Sequence, residues 1–131
     1  MKNKAAFLNA DLEIFSQLPL QPLMDEIGDR AMMLYGGPFS EEFPYMASYE
    51  IDNDPETKSP ETLIQAFCEL ISSLSPASRL LWEGAQKRVI DLGYEVKPGC
   101  DYIQDSIPSA SLQAMARLEI TLAWTFYRRD E

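Results

Sequence analysis

The chain contains no histidine, only 2 cysteines and 11 basic residues against 21 acids. Histidine is the usual general base, proton shuttle and transition-metal ligand near neutral pH. Its absence excludes the Ser-His and Cys-His nucleophile arrangements, and no Gly-x-Ser-x-Gly occurs. Two cysteines far apart in sequence do not make a zinc site. A formal charge of −10 argues against nucleic acid and against an anionic membrane surface, both of which attract Lys and Arg. No run of about 18 apolar residues is present to span a membrane. The opening Met1-Lys2-Asn3-Lys4-Ala5-Ala6-Phe7-Leu8 meets Asp11 and Glu13 too soon for a secretory signal. Cytoplasm is the expected compartment, with no cofactor and no metal.

What is present is an ordinary globular composition, 46% hydrophobic and 24% charged over 131 residues. That suits a single domain, residues 1–131, able to bury one core without disulfides. Cys68 falls within an amphipathic pattern beside Phe67 and reads as a small buried hydrophobe. Cys100 lies in the loop-like Pro98-Gly99-Cys100-Asp101.

Periodicity gives the elements. Asp11 to Ser16 alternates as a short strand, with Phe15 breaking the pattern. Pro19 and Pro22 bracket the entry to a short helix through Leu23, Met24 and Ile27, which Gly28 caps. Arg30 to Tyr35 reads as a strand ended by Gly36-Gly37-Pro38. Tyr45, Ala47, Tyr49 and Ile51 alternate with Met46, Ser48 and Glu50 in a half-buried strand, and the two form a hairpin. Ser59-Pro60-Glu61 starts a helix with Leu63, Ile64, Phe67, Leu70, Ile71 and Leu74 on one face. Ser75-Pro76 starts a second, ending near Gly84. Lys87 to Val96 is the clearest strand. A loop from Pro98 to Pro108 leads to a helix over Ser109 to Leu118. A β-branched and aromatic strand, Glu119 to Arg128, closes the chain. The order β-α-β-β-α-α-β-α-β predicts an α+β fold: about five strands, mainly antiparallel, with helices packed on one face and split β-α-β (ferredoxin-like) character.

Several candidate sites fail on chemistry. Asp52-Asn53-Asp54-Pro55-Glu56 resembles the opening of a calcium loop, but the sixth position is Thr57 instead of glycine and the twelfth is Leu63 instead of glutamate. Asp91 and Glu95 share a strand face, yet strand rise separates them by roughly 13 Å, too far for a glycosidase pair. Gly36-Gly37-Pro38-Phe39 lacks the Lys-Ser/Thr of a phosphate loop.

The most distinctive feature is electrostatic. From Glu41 to Glu56 there are six acids (Glu41, Glu42, Glu50, Asp52, Asp54, Glu56) and no base, interleaved with Phe39, Phe43, Tyr45 and Tyr49. Residues 1–60 hold four bases and eleven acids, net −7, while residues 61–131 hold seven and ten, net −3. Aromatics that anchor and charges that steer make a protein interface, and acids select a basic partner. The expected partner-binding set is therefore Glu41, Glu42, Phe43, Tyr45, Tyr49, Glu50, Asp52, Asp54 and Glu56. The bland alternative makes the aromatics core and the acids a wet face.

Leu81-Trp82-Glu83-Gly84-Ala85, Arg88-Val89-Ile90-Asp91-Leu92-Gly93-Tyr94 and the ending Leu112 to Tyr127 resemble small, acidic, uncharacterised bacterial α/β proteins, some of them similar to toxin-immunity proteins. The resemblance covers roughly the last fifty residues and carries over no site residues. It implies a non-catalytic cytoplasmic inhibitor that occludes a basic toxin or nuclease. Two other readings stay open: a small-ligand binder or enzyme using Asp91 and Tyr94 near the loop at Asp101, and a structural or assembly protein. Oligomeric state is left open by the sequence.

Overall fold

Strand β1 runs from Ala6 to Ser16 and alternates without a break at Phe15. Ala10, Leu12 and Ile14 are fully buried on one face, and Asp11, Glu13 and Phe15 alternate onto the other. Sequence placed the start at Asp11, five residues late, because a register shift between Phe7 and Asn9 scrambles the period there. The computed structural model describes residues 6–51, 58–100 and 102–129.

Helix α1 (Gln21–Ile27) buries Leu23 and Ile27. Gly28 ends it at φ 55°, ψ −126°, a conformation that glycine reaches without a Cβ penalty, and its N–H returns to the Met24 carbonyl. A short 3₁₀ turn, Gly28–Arg30, leads into β2 (Met32–Pro38). Gly36-Gly37-Pro38 does not stop this strand as the sequence reading expected. β2 is an edge strand, where glycine and proline are tolerated. β3 (Tyr45–Glu50) follows.

Helix α2 (Pro60–Ser72) begins with a capping box in which Ser59 accepts from Thr62 N–H and Thr62 returns the bond. Helix α3 (Pro76–Glu83) begins with Ser75 accepting from Ser78 N–H. Glu26 of α1 takes both the N–H and the hydroxyl of Ser75, each at 2.8 Å, so one carboxylate ties the start of α3 to α1. In α3 Trp82 and Ser78 are buried and Leu81 packs against the core, while Leu80 is left in water. β4 (Lys87–Val96), α4 (Ser109–Arg117) and β5 (Thr121–Arg128) complete the chain.

The sheet is mixed and mainly antiparallel, in the order β2-β3-β1-β4-β5. β3 lies between β1 and β2 and is antiparallel to both, so β1-α1-β2 is a split β-α-β unit. β1 in turn lies between β3 and β4 and is antiparallel to both. β5 adds parallel to β4 after the α4 crossover.

One core holds these layers together. Ala10, Leu12, Ile14, Ala47, Tyr49, Ile90, Leu92 and Tyr94 from a single sheet face meet Leu23, Ile27, Leu63, Ile64, Phe67, Ile71, Trp82 and Met115 from all four helices. The helices therefore pack on one face. Cys68 is buried among them, and its thiol is pushed up by that burial. Arg88 closes one end: its guanidinium donates to the carbonyls of Trp82 and Ala85 at 2.9 Å each and to that of Glu119 at 3.1 Å, and it pairs with the Glu119 carboxylate. A cation on the last carbonyls of α3 is favourable, and the same side chain ties α3 to the start of β5.

Candidate interaction surface

The other face of the sheet carries the alternate residues of the same strands, and register arranges them in rows. Phe15 lies between Met46 and Lys87. Next, Glu13 lies between Ser48 and Val89, with Tyr35 beyond Ser48 and Thr121 beyond Val89. In the third row Asp11 lies between Glu50 and Asp91, directly opposite both. Asn9 beside Gly93 and Thr125 forms the fourth.

The third row is the unusual one. Neighbouring strands lie about 4.8 Å apart, so three carboxylates share a span of roughly 10 Å. Like charges directly opposite destabilise a sheet. Asp11, in the middle, is pushed up to about 6 by burial first, then by Glu50 and Asp91. Glu13 is raised by burial and by Asp91 and Asp11, with Lys87 pulling the other way. The outer two carboxylates are held by neutral donors. The Thr125 hydroxyl donates to Asp91 at 2.8–2.9 Å, and the Asn9 side-chain amide donates to Glu50. Among the described residues, bases flank these rows only at the ends. Lys87 lies 5.9 Å over the Phe15 ring, and Arg129 is paired with Glu95 at 2.6 Å.

Aromatic rings gather at the Phe15 end. Phe15 meets Phe39 at 5.8 Å and Phe43 at 5.0 Å between centroids, and Tyr35 meets Phe39 at 6.2 Å. The turn between β2 and β3 is closed by Phe39 N–H to the Pro44 carbonyl and Ser40 N–H to the Phe43 carbonyl. This turn presents Glu41 and Glu42 to solvent, and Gln86 holds the Glu42 carbonyl at 3.2 Å.

The expected partner-binding residues therefore divide. Glu41, Glu42, Phe43 and Glu50 lie at or on the open face. Tyr45 and Tyr49 do not. They share the parity of Ala47 and turn to the helix side, where Tyr49 is fully buried. Neither ring lies on the open face; Phe15 does, by strand alternation, and the turn residues Phe39 and Phe43 pack against it. Asp52, Asp54 and Glu56 lie outside the described residues. The grouping of Asp91 with Tyr94 also fails. Three residues apart in a strand, they point to opposite faces; Tyr94 is buried on the helix side, stacks on Phe126 and donates to Asp105 at 2.7 Å.

The sequence reading missed Asp11, Glu13 and Asn9, because it sought acids adjacent in the chain. The parity of β1 and β4 held the signal: Asp11, Glu13 and Asp91 all alternate with buried aliphatic residues. Among the described residues, no group of three or more Asp, Glu or Cys side chains is placed to hold a metal ion, and no helix is long and apolar enough to cross a membrane.

No family model, curated protein or solved structure matches this chain.

Proposed function

We propose that the chain is a non-catalytic cytoplasmic binding protein whose open sheet face takes a basic protein partner. The concrete case is an immunity protein that occludes a toxin nuclease. The Glu50–Asp11–Asp91 row carries this reading. Three neighbouring strands each place a carboxylate opposite another, at a cost to the fold, on a face that no helix among the described residues covers. Residues that break a local rule without structural gain are candidates for function. A Lys or Arg from a partner would relieve the repulsion within the row, which is the mutual benefit an interface needs. The carboxylates would stand in for nucleic-acid phosphates in a Lys/Arg-lined cleft, and Phe39 and Phe43, at the rim, would supply apolar contact. The resemblance of the last fifty residues to immunity-like proteins points the same way.

The test is co-purification from the native host, identification of the partner by mass spectrometry, and surface plasmon resonance with the purified pair. The association rate should fall steeply as salt rises, because the screening length is only about 8 Å at physiological ionic strength. The triple variant Glu13→Gln/Glu50→Gln/Asp91→Asn should associate at least about tenfold more slowly at low salt. Equal rates for the wild type and the triple variant would overturn the proposal.

One observation favours a second reading. A carboxylate raised to about 6 beside another carboxylate is also how acid-base sites are built. An activity screen over phosphodiester, ester and peptide substrates separates the two. Turnover abolished by Asp91→Asn would replace the binding role with catalysis.

A further inference from the structure

Helices α2 and α4 leave a cleft of about 390 Å³ between them. Its origin lies on α4, which lines it with only small side chains, Ala110, Ser111 and Ala114. From α2, the fully buried Ile64 and the nearly buried Cys68 make it apolar. Burial raises the Cys68 thiol, so this group stays neutral and adds no charge. A concave, largely apolar site with a few polar groups at its margin is the usual form of a small-molecule site.

The charges at this cleft have one sign. Glu61 and Glu69 line it, both exposed and neither in an ion pair, and among the described residues no base lines it. The two lie about 12 Å apart along the α2 axis. That is too far to share one metal ion. Gln65, between them, donates to one oxygen of Glu69 at 3.1 Å, and among the described residues no donor meets the other. An occupant that satisfies both carboxylates is therefore long, cationic at each end and apolar between. A peptide does not suit the middle. Along the sides of two helices the backbone N–H and C=O groups are spent within the helices. Amides laid there would go unpaired, which is costly, whereas methylenes need no partner.

We propose that the cleft between α2 and α4 binds a linear aliphatic polyamine, with one terminal ammonium at Glu61, the other at Glu69, and its methylenes over Ile64, Cys68 and Ala114. The net charge of −10 raises the local concentration of such a polycation. The cleft belongs to the helix layer, on the other side of the sheet from the open face, so this site does not depend on the partner proposed there.

Equilibrium dialysis of labelled spermidine against the full chain at low salt tests this. One site per chain is expected. Putrescine is shorter and reaches only one carboxylate, so it should bind about threefold to tenfold more weakly. Glu61→Gln and Glu69→Gln should each weaken spermidine by a similar factor, and the double variant by at least about tenfold. Ala110→Leu fills the cleft without changing charge and at little cost in helix propensity. It should keep the wild-type circular dichroism spectrum and abolish binding. Diffuse attraction to an acidic chain would follow total charge instead. The open-face triple variant Glu13→Gln/Glu50→Gln/Asp91→Asn removes more charge than the cleft variants do, and it should keep the wild-type affinity. The proposal is overturned if spermidine does not bind at concentrations up to about 1 mM. Equal affinity for putrescine, binding that survives Ala110→Leu, or loss of binding in the open-face variant overturns it as well.

Discussion

The two faces of this sheet are made by the same strands, residue by residue, and yet obey opposite rules. On the helix side, Leu12 and Ile14 sit among Tyr49, Phe67, Ile90 and Leu92 in a close-packed interior. One residue along the chain, Asp11 and Glu13 face the uncovered side, and Asp11 stands between two other acids. The first face holds the fold. The second is tolerated by it, at an electrostatic cost that the first must cover. Substitutions on the two faces should therefore move stability in opposite directions.

The largest effect belongs to the covered face. Phe67 on α2 is fully buried against the sheet. Phe67→Ala removes that area and leaves a cavity, which costs about 3–5 kcal/mol. Urea denaturation should show this loss in the midpoint, with an unchanged slope. A loss below about 1 kcal/mol would mean that the core collapses around the gap and is less rigid than the layers imply.

The open face should respond with the other sign. Ionised Asp11 is disfavoured in the folded protein, since its carboxyl titrates near 6 instead of 3.8. Between those values the folded protein holds a proton that the unfolded chain has released. The cost is absent below about pH 4, grows as pH rises, and is complete above about pH 6. The full difference would be about 3 kcal/mol. Water reaching the half-buried group screens this to about 1–2 kcal/mol. Asp11→Asn should thus stabilise the protein by about 1–2 kcal/mol at pH 7.5, lose that advantage near pH 4, and flatten the dependence between. An Asn variant no more stable than the wild type at pH 7.5 would show that the row is fully solvated. A partner cation should pull the Asp11 carboxyl down again, so partner binding should strengthen from pH 5 to 7 and release protons.

The covered face was legible in the sequence because it is local. Leu63, Phe67 and Ile71 recur at helical spacing, Ser59-Pro60 and Ser75-Pro76 announce their helices, and Ile90, Leu92 and Tyr94 alternate. The open face was only half legible. Glu50 could be picked out within an acidic run, but its neighbours Asp11 and Asp91 come from strands 39 and 41 residues away. Pairing of β1 with both β3 and β4 brings them together, and register of that kind is set by the packed face, not by the acids themselves. The same physics explains the misplaced tyrosines. Tyr45 and Tyr49 were grouped with acids beside them in the chain, and alternation sends them to the opposite face from Glu50.

Tyr49 offers the smallest and sharpest test of the division between faces. Its ring fills the core, and its hydroxyl is buried without a hydrogen-bond partner among the described residues. Burial also pushes the phenol up to about 12, with Asp25 adding to the shift, so the group stays neutral at any ordinary pH. A buried hydroxyl left unsatisfied costs about 1–3 kcal/mol of desolvation, while its removal at constant ring shape forfeits only a small void. Tyr49→Phe should therefore be neutral or stabilising, by up to about 1 kcal/mol, and should leave partner binding unchanged. A surface anchor would behave the other way: the Phe variant would keep its stability and bind more weakly. Thermal unfolding and surface plasmon resonance on this one variant thus assign the residue to a face. If the Phe variant loses more than about 1 kcal/mol, the hydroxyl makes a bond to buried water, and the covered face holds a polar site where the packing shows none.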